Sequence, residues 1–285
     1  MSKIYKWYNG LSKRVHDSIV ISVTGVGMLS TILSISGISL GDIQGLNLCM
    51  RIVAVALAVI VVYVLVYLAI GKIFKDSINI TIQQTAVSVS YGDIFEAPGL
   101  RVIGCDTHFD TRIDDIVISK KSLHGQLFLD HGNKDEISMA IDIEAKRLGL
   151  QKTSEGLYDF PLGTIVRYDS SVDNHTYLML AMTELNTEHE AHTNMAKFEF
   201  MLMKMWREIS RVYALNDVVL PILGAGIPRF DDGPKDKGDL LRCMLCTLNS
   251  SGVTLKSKVK VLIYGDIRDI SLYEYRNMFH ASLRR

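Results

Sequence analysis

Cysteine is scarce in this chain, and net charge is absent. Four cysteines (Cys49, Cys105, Cys243 and Cys246) in 285 residues exclude a disulfide framework as the source of stability. Cys243-Met-Leu-Cys246 has CxxC spacing, but the chain lacks the second pair that a four-cysteine zinc site requires. Leucines at 240, 241, 245 and 248 surround that segment, so it reads as a buried helix face. Lysine plus arginine number 31, and so do aspartate plus glutamate. The balance is uneven: residues 1–75 hold seven Lys/Arg against Asp17 and Asp42, so the other 210 carry a net −5. A mildly acidic remainder has no basic excess for phosphate backbones, which argues against nucleic acid as the main partner.

Charge is missing altogether from Ser18 to Gly41, and again from Ile52 to Gly71. Each run suffices for one helical crossing of a bilayer, which takes about 20 residues. The length of the first run, its lack of a small-residue cleavage pattern and the presence of the second argue against a signal peptide. The sequence therefore predicts a two-helix transmembrane hairpin over 1–76, with spans at about 18–41 and 52–71, and a soluble domain over 77–285. Lys3, Lys6, Lys13 and Arg14 precede the first span, Lys72 and Lys75 follow the second, and only Asp42 and Arg51 lie between. By the positive-inside rule both termini and the soluble domain of this multi-pass protein face the cytoplasm. Unpaired cysteines agree with that compartment.

The first span carries Ser18, Ser22, Thr24, Gly25, Gly27, Ser30, Thr31, Ser34, Ser36 and Gly37, with Gly37 and Gly41 in GxxxG spacing. Small residues permit close helix packing in lipid. They fit a homo-oligomer joined through this span, a polar path between copies, or a plain anchor.

From Ser77 onward, strands alternate with helices. SINITIQQTAVSVSYGDIF reads as a strand pair, LRVIGCD (100–106) as a short apolar strand, and 135–148 as a helix. GTIVRYD (163–169) and TYLMLAMTEL (176–185) are two further strands, with a long helix expected between Asn186 and Tyr213. VVLPIL (218–223) and VKVLIYG (259–265) are strands around a helix at about 236–249, and a short terminal helix follows. The fold class is α/β, with a mostly parallel sheet covered by helices. Ligands of such sheets sit beyond the carboxyl ends of the strands. Gly224-Ala225-Gly226-Ile227 occupies that position, where glycines serve a tight turn or the close approach of an anion.

Three segments in order carry a resemblance: Tyr91-Gly92-Asp93-Ile94 after an early strand, VIGCDTHFDT after the next, and PILGAGI late in the chain. Together they resemble the macro domain, which binds ADP-ribose. There the aspartate of GDI takes the adenine amino group and a GxG loop wraps the diphosphate. The stretch after the second of these strands lacks the asparagine motif and glycine run of macro-domain hydrolases, so binding is expected rather than hydrolysis. With the hairpin and the SLHGQ segment, the whole chain is similar to the membrane-spanning macro effectors of the type II Thoeris antiphage system. That resemblance implies an ADP-ribose-type signal, histidine-ADP-ribose made by a TIR-domain partner, and membrane damage that causes abortive infection. It implies the lipid bilayer and further copies of the chain as partners, a tetramer being one such form, with no cofactor, catalytic residue or metal. The ligand set it implies is Asp93, Ile94, Asp106, Thr107, Leu123, His124, Gly125, Gly224, Ala225, Gly226, Ile227 and Arg229. A membrane-anchored ADP-ribosyl hydrolase is the alternative.

Other constellations read more plainly. Glu188-His189-Glu190-Ala191-His192 looks like a first helical turn and misses the spacing of a zinc motif. His108 and Asp110 could form an acid–base pair or simply order their loop. Lys235, Lys237 and Arg229 follow the glycine loop, near phosphate or in solvent.

Overall fold

The structure, a computed structural model, describes residues 13–35, 47–73, 76–113, 118–185, 191–226, 229–265, 270 and 272–275. The chain divides into two units, Met1–Ile78 with Ser271–Ala281, and Asn79–Ile270 with Ser282–Arg285.

The first unit is built on two helices, α1 (Lys13–Ile35) and α2 (Leu48–Ile73). At 1.5 Å per residue they measure about 34 and 39 Å, each long enough for a hydrocarbon core of about 30 Å. The first begins earlier than the charge-free run and its described part ends at Ile35; the Gly37/Gly41 step lies outside the described residues. Val23, Met28 and Ile32 on α1, and Leu57, Val61 and Leu65 on α2, are exposed, an apolar surface that water would not favour. The hydroxyls of α1 turn back on their own helix. Ser18, Ser22, Thr31 and Ser34 donate to the carbonyls of Arg14, Ser18, Gly27 and Ser30 at 2.6–3.0 Å. This removes the cost of bare hydroxyls in an apolar medium. The Arg14 guanidinium binds the Tyr67 carbonyl through Nε at 3.1 Å and covers the Tyr67 ring at 3.8 Å. The Tyr273 hydroxyl donates to Asp17 Oδ2 at 2.6 Å.

The second unit is organised by one sheet, ordered β1-β2-β9-β7-β3-β5-β6-β8, with β4 also paired to β5. Its strands are β1 (Ser77–Ile82), β2 (Thr85–Tyr91), β3 (Leu100–Asp106), β4 (Ile165–Asp169), β5 (Thr176–Leu185), β6 (Ala191–Thr193), β7 (Val218–Pro221), β8 (Arg229–Phe230) and β9 (Val259–Ile263). Neighbours from β2 to β5 are all parallel, whereas β4 and β6 run antiparallel to β5. The sheet is mixed but mostly parallel and flanked by helices, the α/β arrangement that the apolar strands predict. The short helix α3 (Leu123–Gln126) widens into a π-turn, Leu127–His131, before α4 (Lys134–Leu148). The remaining helices are α5 (Met195–Val212) and α6 (Lys237–Ser250).

Capping sets the helix starts. Asn133, Asn194 and Asp236 accept from amides two or three residues on, and Gly149 closes α4 in the left-handed region. One core layer joins Ile137, Ile141 and Ala145 of α4 to Ile103, Cys105, Met179 and Val219 of the sheet. Phe198, Met201, Leu202 and Met205 of α5 and Leu241, Met244 and Leu245 of α6 are also buried. The Trp206 indole donates to the Thr247 hydroxyl between those two helices at 3.2 Å.

Two expectations need correction. The segment 186–213 is not one helix: β6 occupies 191–193, pairing with β5 and β8, and the helix begins at Met195. His192 therefore stands on a strand, its Nδ1 2.7 Å from Asp231 Oδ1, while His189 lies outside the described residues. In the CxxC segment the leucines are buried but Cys243 and Cys246 are only half-buried, so the thiols sit at the edge of that face.

Candidate ligand-binding site

Four neighbouring parallel strands, β2, β9, β7 and β3, end on the same side of the sheet. Gly92-Asp93, Tyr264, the 222–226 loop and Asp106-Thr107 follow those four ends. Sequence reading and topology thus bring Asp93, Gly224, Ala225, Gly226, Asp106 and Thr107 to one sheet end. Ile227 lies outside the described residues, and of Arg229 only the backbone, opposite His192, is described.

At the β2 end, the Gly92 amide donates to the Ile263 carbonyl at 3.2 Å and Ile94 is buried in the core. Asp93 is half-buried, and its Oδ1 accepts from the Phe95 amide at 2.8 Å. Its Oδ2 has no partner among the described residues, so it can accept from an external N–H. Beside it, Tyr264 exposes 77% of its surface at the end of β9. Sequence reading treated Tyr264 only as a strand end. The available signal was an aromatic closing an apolar strand just before a glycine.

At the β7 end the glycines divide the work. Gly224 has φ +81°, and a Cβ there would stand 3.3–3.4 Å from Phe198, Leu240 and Phe230. The Ala225 amide closes the turn on the Ile222 carbonyl at 3.3 Å. Gly226 is exposed, and a Cβ on it would meet nothing within 4 Å. The first glycine serves the turn and the second keeps space open.

At the β3 end the backbone is forced round sharply. The register with β5 shifts between Cys105 and Asp106, and Phe109 adopts φ +49°, a costly conformation for a bulky residue. Packing compensates: Phe109 is buried edge-on against Phe160 at 5.0 Å. Asp106 is buried, its Oδ1 accepting from the His108 amide at 2.8 Å and its Oδ2 from the Asp110 amide at 3.2 Å. Both carboxylate oxygens thus hold their own loop.

Asp110 is also buried, but its partner is Arg112, whose Nε lies 2.9–3.0 Å from both oxygens. Burial opposes its ionisation, yet hydrogen bonds and charge from Arg112 hold it below the ordinary carboxylate range. His108 and Asp110 are therefore not an acid–base pair; His108 sits 3.8 Å from Asp106 instead.

His124, in the SLHGQ segment, lies on the short helix α3. It is buried behind Asp106, with Nδ1 3.7 Å from Asp106 Oδ2 and its ring 4.8 Å from Phe128. Burial pushes its pKa down, against the opposing pull of Asp106 and Asp110, which favours the neutral ring. Its Nε2 has no hydrogen-bond partner among the described residues. Leu123 is half-buried against the core, and Gly125 is buried where a Cβ would stand 2.3 Å from the Ser119 carbonyl. Of the three, His124 is the one that stands against Asp106. Of the lysines after the glycine loop, Lys235 lies 3.4 Å from Asp232 and Lys237 donates to the Tyr264 carbonyl at 3.2 Å.

The sequence profile of the family "Thoeris protein ThsA, Macro domain" matches residues 87–264, more than half of the chain, from within β2 to Tyr264. The chain is 27% identical over 238 residues to the Thoeris protein ThsA of Bacillus amyloliquefaciens (strain Y2), covering 80% of this chain and 79% of that one. Among solved structures, the Oceanobacillus iheyensis macrodomain with ADP aligns at TM-score 0.49 and 13% identity, covering 73% of this chain and 97% of its own. A mutant of that macrodomain with ADPR aligns at TM-score 0.48 and 14% identity, covering 72% and 99%.

Proposed function

The chain belongs to the Thoeris ThsA macro-domain family, and from that premise we propose that it is a membrane-anchored receptor of antiphage defence. Its macro domain binds an ADP-ribose-type signal and its two apolar helices carry the response into the bilayer. The carrying observation is the gathering of Asp93, Tyr264, the open Gly226 loop and Asp106 at the carboxyl ends of four adjacent strands. Asp93 Oδ2 suits an adenine amino group, and the Tyr264 ring suits the base as a stacking surface. The space over Gly226 suits a diphosphate approaching the backbone.

Binding without turnover is the better fit to the β3 end. Asp106 is engaged by two backbone amides and Asp110 by Arg112, and neither is presented as a base toward a ligand. In this reading the signal is histidine-ADP-ribose from a TIR-domain partner. Both termini lie in the cytoplasm, copies of the chain associate through the first span, and membrane damage follows ligand binding.

Calorimetric titration of the full-length protein in detergent with ADP-ribose and its histidine conjugate tests the receptor. Saturable binding with the nucleotide recovered intact supports it, and release of free ADP-ribose from the conjugate would favour a hydrolase. Dye-loaded vesicles carrying the protein test the effector half, with leakage expected only after ligand is added.

A further inference from the structure

Asp93 lies on an unusual connection. Residues 92–99 lead from the carboxyl end of β2 to the amino end of β3, three strands away in the sheet, and contain no helix. A covering helix would ordinarily fix such a crossover. Here side chains do so at two points. The Phe95 ring lies flat on the His131 ring, centroids 4.2 Å apart and planes within 7°. Two residues on, the Ala97 carbonyl accepts from Arg101 Nε at 3.1 Å.

Both clamps end in one partly buried polar relay. Arg101 is 1% exposed, and its Nη1 lies 3.0 Å from the Tyr177 hydroxyl. That hydroxyl donates to Asp173 Oδ2 at 2.5 Å, and the same oxygen lies 3.1 Å from His131 Nδ1. Burial would raise the pKa of Asp173, but hydrogen bonds from Tyr177, the His175 amide and His131 hold it low. The carboxylate thereby orients the imidazole on which Phe95 rests. Phe95 in turn donates its amide to Asp93, so the ring stack and the carboxylate are joined through one residue.

We propose that His131 is a positioning residue for ligand recognition: its ring, oriented by Asp173 and stacked on Phe95, sets the orientation of the Asp93 carboxylate and hence the choice of base. The proposal rests on the reading of Asp93 as the acceptor for an adenine amino group. A loop released from His131 keeps its carboxylate but loses the fixed aim, and a single misaligned hydrogen bond is enough to erase selectivity between bases.

The test compares ADP-ribose with its inosine analogue, which lacks the amino donor, on full-length protein in detergent. Wild type should prefer ADP-ribose by about tenfold, the scale of one hydrogen bond. His131→Ala should bring the two affinities within about twofold, while His131→Phe, which keeps a ring on Phe95, should retain most of the preference. Phe95→Leu should behave as His131→Ala does, and thermal melting establishes that each variant is folded. An unchanged preference in folded His131→Ala, or a loss in His131→Phe as large as in His131→Ala, overturns the proposal. Wild type that binds neither nucleotide would instead defeat the receptor reading itself.

Discussion

Gly224 and Gly226 stand two residues apart in one loop and face opposite demands. A Cβ on the first would press on the Phe198 ring at 3.3 Å, whereas one on the second would meet nothing within 4 Å. Valine at the two positions should therefore separate fold from function. Gly224→Val must adopt φ +81° and crowd three side chains, and should lower stability by about 1–3 kcal/mol. Gly226→Val should leave the melting temperature near wild type yet abolish binding of ADP-ribose, because its side chain fills the space proposed for the diphosphate. Retained binding in Gly226→Val would assign that glycine to no ligand contact.

Among the described residues, one oxygen of Asp93 at the end of β2 has no partner. Asp93→Ala removes both that acceptor and the bond to the Phe95 amide, and should weaken ADP-ribose binding by about 1–3 kcal/mol. Asp93→Asn supplies a finer check. It can keep an oxygen toward Phe95 while presenting an amide N–H outward, so it should weaken the adenine nucleotide more than the inosine one. Calorimetry with both nucleotides reads the difference, and equal losses would remove Asp93 from base recognition.

Two buried groups near the β3 end, His124 and Asp110, predict a pH dependence of stability. His124 has its folded pKa pushed below the unfolded value of about 6.5. As pH falls below about 6.5 the unfolded chain takes up a proton that the folded chain resists, so stability drops until the folded pKa is reached. Asp110, also depressed, adds a loss of the same sign at lower pH, below about 3.8. Urea melts at pH 7 and pH 5 should show wild type losing more stability than His124→Gln across that interval. Equal losses in the two proteins would mean that His124 is accessible to protons in the folded state.

Much of this architecture was legible because it is local. The run 176–185 became β5 with those bounds, and Asp236 was available to cap the helix that begins at Lys237. Asp93 and the glycine loop could be placed because each ends an apolar strand. What escaped depends on distant partners. The three-residue β6 carries no periodicity of its own, and exists through pairing with Glu184-Leu185 on one side and Arg229-Phe230 on the other. His124 reads as part of a polar loop until Asp106 and Phe128 are seen to enclose it. The stack of Phe95 on His131 joins residues 36 positions apart with no motif to announce it.

The proposed membrane half is tested by the glycines of α1. Ser18 and Ser22 of that helix are buried, whereas Gly25 and Gly27 are exposed with open space beside them. Leucine at both positions therefore fits a single copy of the chain without a clash and removes two weak helix formers. What it destroys is a surface on which another helix could approach closely, the packing mode available in lipid. A ligand can shift an equilibrium only by the difference in its affinity for the two states. If binding favours an associated state, removing that state should leave intrinsic ligand affinity nearly unchanged while abolishing the response. The double variant Gly25→Leu/Gly27→Leu should bind ADP-ribose within about twofold of wild type, a difference of about 0.4 kcal/mol, yet give no ligand-driven dye leakage from vesicles. Leakage at the wild-type ligand concentration would reduce α1 to an anchor and place the response elsewhere in the chain.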